Sequence, residues 1–178
     1  VAIGMEAGVA MTTGVQNTLI GGSAGDALTT GTRNIAVGFA ALGSEDTGGR
    51  NIAIGRSALG SLDAGQDGYN IAIGDDTGSA MSTGIHNTLI GSQAGDAITI
   101  GNYNVALGKD ALSTSVDGDY NTAIGYKALE DYEDGDGNGH NTAVGNSSQL
   151  NATTGEFNTS LGSLSMGVGV TTGDYNVA

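Results

Sequence analysis

Cysteine is absent from this chain, which removes disulfides and thiolate chemistry from consideration. Lys and Arg number five against 19 Asp and Glu. So few cations argue against nucleic acid as a partner, because phosphate binding needs clustered positive charge. Anionic membranes are disfavoured on the same ground. No apolar run is long enough to span a bilayer, so no membrane insertion of this segment is expected. Tryptophan and proline are missing and Phe occurs twice. A core built under these restrictions is expected to be thin, with Ala, Val, Ile and Leu in narrow layers. Charged residues make up 13%, too few for the net charge of −14 to signal disorder.

What is present is a phrase, Asn-[Thr/Ile/Val]-[Ala/Leu/Ser]-[Ile/Val/Leu]-Gly, that returns along the whole chain. Its Asn stands at Asn17, Asn34, Asn51, Asn70, Asn87, Asn104, Asn121, Asn141 and Asn158, with steps of 17, 17, 19, 17, 17, 17, 20 and 17 residues. Partial copies occur at Val1–Gly4 and Asn176–Ala178. A period of this size predicts a solenoid, in which one unit cannot bury its apolar face and must stack on the next. Both ends stop inside the motif and would join in register as Asn-Val-Ala-Ile-Gly. The chain therefore reads as a window taken from a longer fibre, with targeting signals expected outside it.

With the Asn at position zero, +3 is always branched and apolar: Ile3, Ile20, Val37, Ile54, Ile73, Ile90, Leu107, Ile124, Val144 and Leu161. These residues are the expected core or subunit-packing column. Branched residues followed by Gly at +4 predict a short strand ending in a turn. Side chains alternate along a strand, so +1 and +3 face one way and +2 the other. Both faces are apolar or small, the mark of burial on both sides. One side can be the interior of the coil; other subunits are the natural cover for the other, which predicts an oligomer.

Position +7 is mostly Ala, and +8 runs in pairs, Gly8 and Gly25, Leu42 and Leu59, Gly78 and Gly95, Leu112 and Leu129. Where +8 is Gly, an apolar residue appears at +11 (Met11, Leu28, Met81, Ile98), so the second layer is expected to be filled once per coil by either route. Gly at +14 is expected to supply the positive φ of a tight corner. The pairing makes a four-coil super-repeat, in which residues 1–69 align with 71–139 at a shift of 70. The organisation is one β-solenoid segment over 1–178, with super-repeats of approximately 1–70, 71–140 and a partial 141–178. Ten coils at ~4.8 Å give a rod of roughly 45–50 Å. Extra residues fall in corners, where they can bulge. Stacked amides of the recurrent Asn are expected to hydrogen-bond along the axis as a ladder.

The phrases Asn-Thr-Ala-Ile-Gly-Tyr-Lys-Ala-Leu at 121–129 and Asn-Ile-Ala-Ile-Gly-Arg-Ser-Ala-Leu at 51–59 resemble the head repeats of trimeric autotransporter adhesins and the related repeats of bacteriophage tail fibres. The resemblance covers essentially the whole chain. It implies an all-β, left-handed parallel β-roll of about ten coils of ~17 residues. It also implies a homotrimer with the apolar strands packed toward the threefold axis. The function implied is adhesion or receptor binding by an extracellular fibre, on a bacterial cell surface or a phage virion. The 17-residue coil is longer than is usual in adhesin heads.

The largest corner insertion lies in Glu130–Gly139. There Asp134, Asp136 and Asn138 before Gly139 match the first half of a calcium loop. The second half fails, because Gly145 holds the place of the bidentate Glu, and a solvated acidic loop is the plainer reading. Asp75–Asp76 and Glu45–Asp46 read as surface charge, and His86 and His140 as exposed corner residues. Apart from that calcium, no cofactor is expected. Ile20-Gly21-x-x-Ala24 matches one hexad of hexapeptide-repeat acyltransferases, but Asp26 breaks the next, and no nucleophile with its base is evident. No catalytic residue is therefore expected. Thr-rich corners (Thr12–Thr13, Thr29–Thr30, Thr153–Thr154, Thr171–Thr172) raise ice binding as a remote alternative. Asp117 and Asp134 interrupt the column any flat array would need. The expected function is a structural or adhesive fibre segment that presents or spaces a site for a cell-surface glycan or protein. The alternative is a spacer that binds nothing.

Overall fold

The computed structural model describes residues 1–132, 139–169 and 172–178. Its ten strands are β1 (Ala2–Ile3), β2 (Thr18–Ile20), β3 (Ile35–Val37), β4 (Ile52–Ile54), β5 (Ile71–Ile73), β6 (Thr88–Ile90), β7 (Val105–Leu107), β8 (Thr122–Ile124), β9 (Thr142–Val144) and β10 (Thr159–Leu161). They form one parallel sheet in sequence order, so each turn of chain adds one strand to a β-solenoid. No helix occurs among the described residues. Equivalent positions pair throughout, as in Ile35 with Ile52 and Val37 with Ile54. The register survives both long steps: Ile52 pairs with Ile71, and Thr122 with Thr142. The extra residues fall outside the strands, and the sheet does not register them.

The Asn-x-Ala-x-Gly phrase folds this way because its two outer residues are mostly branched and its middle one is small. Position +2 points inward: Leu19, Ala36, Ala53, Ala72, Leu89, Ala106, Ala123 and Ala143 are fully buried. Facing them across the thin core are +7, +8 and +11, such as Ala24, Leu42 and Leu28. The paired alternation at +8 is a packing code. Leu19 spreads its methyls over Gly8 and Gly25, where an added Cβ would stand 2.7–2.9 Å from them. Leu89 does the same over Gly78 and Gly95, at 2.9–3.0 Å. Where +8 becomes Leu, +2 returns to Ala. Long side chains cannot face each other from +2 and +8 at interior packing density, and this volume exchange between the two positions sets the four-coil period.

Two expectations are corrected. The second layer is not filled once per coil: Leu59 and Leu62 are both buried in one coil, and Leu129 and Tyr132 in another. Position +11 faces inward whichever residue occupies +8. The glycines at +14 do not, as a rule, supply a left-handed corner; of those described, Gly65 alone has such a φ, at 64°. They are needed for close approach, since a Cβ on Gly101 would lie 2.6 Å from the Gly118 carbonyl oxygen. The left-handed residues are instead those at −1 (Gln16, Arg33, Arg50, Tyr69 and successors), +6 and +8, with φ of 50–63°. Gly at +4 answers both demands. Gly91 has φ 133°, and its Cβ would stand 2.5 Å from the Gly108 carbonyl oxygen.

The interior shared by the ninth and tenth coils departs from the apolar rule. Ser148, Gln149 and Ser160 occupy the interior, with Ser148 and Ser160 hydroxyls 2.5 Å apart. Gln149 Nε2 donates to the Thr142 carbonyl and to Ser160 Oγ, both at 3.0 Å, but its Oε1 is buried without a partner. An orphaned buried acceptor costs about 1–3 kcal/mol. Restoring the pattern of the other coils with Ser148→Ala, Gln149→Leu and Ser160→Ala is expected to stabilise the chain by an amount of that order. The φ of 50° at Gln149 is one that Leu59 already adopts. Denaturant melts of the triple variant check this, and an unchanged or lowered midpoint would count against it.

Candidate functional site

The recurrent Asn holds the coils together through the backbone more than through amide-to-amide bonds. Asn34 is buried; its Oδ1 accepts the Asn51 backbone N–H at 2.9 Å and its Nδ2 donates to the Gly48 carbonyl at 3.0 Å. The same pair of bonds recurs at Asn17, Asn70, Asn87, Asn104, Asn141 and Asn158. Among the described residues, side-chain amides bond each other only from Asn70 to Asn51, Asn87 to Asn70 and Asn176 to Asn158. At Asn51 and Asn121 the Nδ2 finds no acceptor. Asn51 precedes the 19-residue step and Asn121 the 20-residue step, so the unpaired amides fall in the longer coils.

The +3 column lies outside the core of one chain. Ile3, Ile20, Ile54, Ile73, Leu107 and Leu161 are exposed, and Val37, Ile90, Ile124 and Val144 half-buried. Position +1 shares this outward face, with Ile35 and Val105 exposed. Charge is excluded from it. No Asp or Glu of the 19 stands anywhere from −1 to +4, and the five cations stand at −1 (Arg33, Arg50), +5 (Arg56, Lys109) and +6 (Lys127). An apolar strip thus runs the length of the rod, with cations at both edges and the carboxylates outside it, from −2 (Asp119) and +5 (Asp75) outward. Such a contiguous patch marks an interaction surface.

One edge carries a feature the sequence reading missed. From the fifth coil on, the residue before each Asn is Tyr69, His86, Tyr103, Tyr120, His140, Phe157 and Tyr175, and their rings form one stack. Centroids are 4.7–5.1 Å apart and planes within 9°, so the stack repeats at the spacing of the strands beneath it. The Arg50 guanidinium lies 5.2 Å from the Tyr69 centroid and caps the end. His86 and His140 are exposed, as expected, but as members of this stack. The signal was available as a column of aromatics at −1.

The remaining candidates are dispersed. Asp75 and Asp76 both accept from Arg56, at 2.7 and 2.5 Å. Asp46 is exposed and accepts from the Thr29 hydroxyl. Thr13, Thr30, Thr47 and Thr83 are exposed, with Ala64 between them in the column. Asp134, Asp136 and Asn138 lie outside the described residues. Among the described residues no three His, Cys, Asp or Glu side chains come together as a metal set.

Glu45, read from sequence as surface charge, is instead fully buried at +11, a correction with a cause in the inward direction of that position. Its Oε1 accepts the Gly48 N–H at 2.7 Å and its Oε2 the Ala64 N–H at 3.3 Å. Burial pushes the carboxyl above its ordinary value; these N–H bonds oppose the shift, and Asp63 adds to it. The folded chain therefore holds this proton more tightly than the unfolded one. Stability from this group is present at low pH and is lost as pH rises from the ordinary value through the folded one. Relative to Glu45→Gln, the wild-type chain should gain thermal stability on acidification across that window. Parallel melting curves with pH would contradict the assignment.

No protein-family model, curated protein or solved structure matches this chain.

Proposed function

We propose that this chain is a stiff segment of an extracellular homotrimeric fibre, a left-handed β-roll whose outward strand face turns toward the shared axis. The observation that carries this is the carboxylate-free apolar strip. It is about 45 Å long and roughly 13 Å wide across positions −1 to +3. Its area of about 600 Å² approaches the ~800 Å² per partner of a standard interface. Acidic outer sides keep assembled fibres apart. The work is mechanical and not catalytic: backbone ladders and stacked layers hold a rod that presents or spaces a binding surface. The carrier is a bacterial cell envelope or a phage virion.

Adhesive specificity, on this reading, lies in the variable corners 60–69 and 130–140, toward a cell-surface glycan or protein. The spacer reading has one observation in its favour. The inner rings of the stack have their faces taken by neighbouring rings, which leaves edges and no platform for a sugar to stack on. Sedimentation equilibrium of the chain, with glycan-array and cell-binding assays on the trimer, tests both. A well-folded monomer at micromolar concentration overturns the fibre; a trimer without binding leaves the spacer.

A further inference from the structure

We propose that the aromatic edge is the seam between copies: position −1 of one chain docks against position +5 of the next. This rests on the trimeric reading above and specifies its contacts. In a cyclic assembly of parallel chains the interface is heterologous, one edge of each copy meeting the other edge of its neighbour. A rotation without translation keeps every coil at its own height, so −1 and +5 of the same coil meet.

The pairs that fall level are complementary. Arg33 meets Phe39, a cation and an exposed ring. Tyr69 meets Asp75, whose Oδ2 is held by Arg56 and whose Oδ1 can accept the phenol hydroxyl. Tyr103 meets Lys109, phenol oxygen to ammonium. Tyr120 meets Tyr126, a ring that stands outside the stack. All eight side chains are exposed in the single chain. Because stacking uses up the ring faces, the column offers its electropositive rims and hydroxyls, which suit a carboxylate or the face of another ring. The one like-charged pair, Arg50 with Arg56, is neutralised in advance: Arg50 holds Asp67 at 2.6 Å, and Arg56 holds Asp75 and Asp76. The occupant of this edge is a second copy of this chain.

The chain has no cysteine, so the seam can be read by cross-linking. Tyr120 and Tyr126 flank one strand and lie roughly 15–20 Å apart in a chain. That is beyond the ~7 Å that a disulfide spans. Oxidising a Tyr120→Cys/Tyr126→Cys double variant should give covalently closed trimers on non-reducing gels, while either single variant stays uncross-linked. A second variant, Tyr103→Asn/Tyr120→Asn, keeps side chains that tolerate the left-handed backbone. It should raise the trimer dissociation constant at least tenfold while the monomer stays folded. A trimeric wild type with no cross-link in the double variant, or with single variants linking to themselves, overturns the seam alone. A monomeric wild type overturns the trimer and the seam together.

Discussion

If copies associate through the apolar strip as proposed, Ile73→Asp with Leu107→Asp is expected to yield a folded monomer, whereas Ala72→Asp with Ala106→Asp is expected to yield no folded rod. The two pairs are sequence neighbours on the same strands, β5 and β7, and differ only in direction. Ile73 is 36% and Leu107 44% exposed in the single chain, so a carboxylate there stays in water until copies associate. Association would then gather six carboxylates around the axis and desolvate them. At several kcal/mol per buried charge, this weakens the trimer by three orders of magnitude or more. Ala72 and Ala106 are fully buried, and a charge at either meets the same penalty within the fold itself. Sedimentation equilibrium and circular dichroism of both double variants read the contrast. If the wild type is a trimer and the outward variant remains one, the strip is not the interface.

That contrast also marks what the sequence could and could not reveal. The spacing of Asn and the branched residues at +3 were enough to predict strands, coils and the corners, such as 60–69, that take the extra residues. The apolar character of both strand faces was legible too, but in the single chain only +2 is buried and +3 stays exposed or half-buried. What alternation cannot say is which face is the interior, since Ala36 and Val37 both read as buriable. The answer came from volume: a core one strand wide accepts Ala at +2, and Leu19 or Leu89 only where Gly stands at +8. Glu45 was misread because a carboxylate is normally exposed, while the column it occupies is set by its neighbours Leu28 and Leu62. The aromatic column escaped because a ring at −1 is unremarkable in any single coil. It becomes a stack only when steps of 17 to 20 residues are wound into one register.

Asn104→Ala is expected to be among the most damaging single substitutions in the chain, although it removes no charge and little volume. Asn104 Oδ1 accepts the Asn121 backbone N–H at 2.9 Å, and its Nδ2 donates to the Gly118 carbonyl at 2.7 Å. Alanine orphans both buried backbone groups, at about 1–3 kcal/mol each, hence about 2–6 kcal/mol together. In a solenoid each coil contacts only its neighbours, so the loss concentrates there and the melt should split into separate N- and C-terminal steps. Asn104→Asp sharpens the test. The carboxylate can still accept from Asn121, but at neutral pH it cannot donate to Gly118 and it buries a charge. Protonation restores a donor, so its folded-state pKa is raised and acidification should recover stability. Asn51 provides the internal comparison, because its Nδ2 already lacks an acceptor and Asn51→Asp forfeits no such bond. Asn51→Asp is therefore expected to cost less than Asn104→Asp. If all three variants melt within about 0.5 kcal/mol of the wild type, the range of a neutral surface change, the Asn column does not hold the coils together.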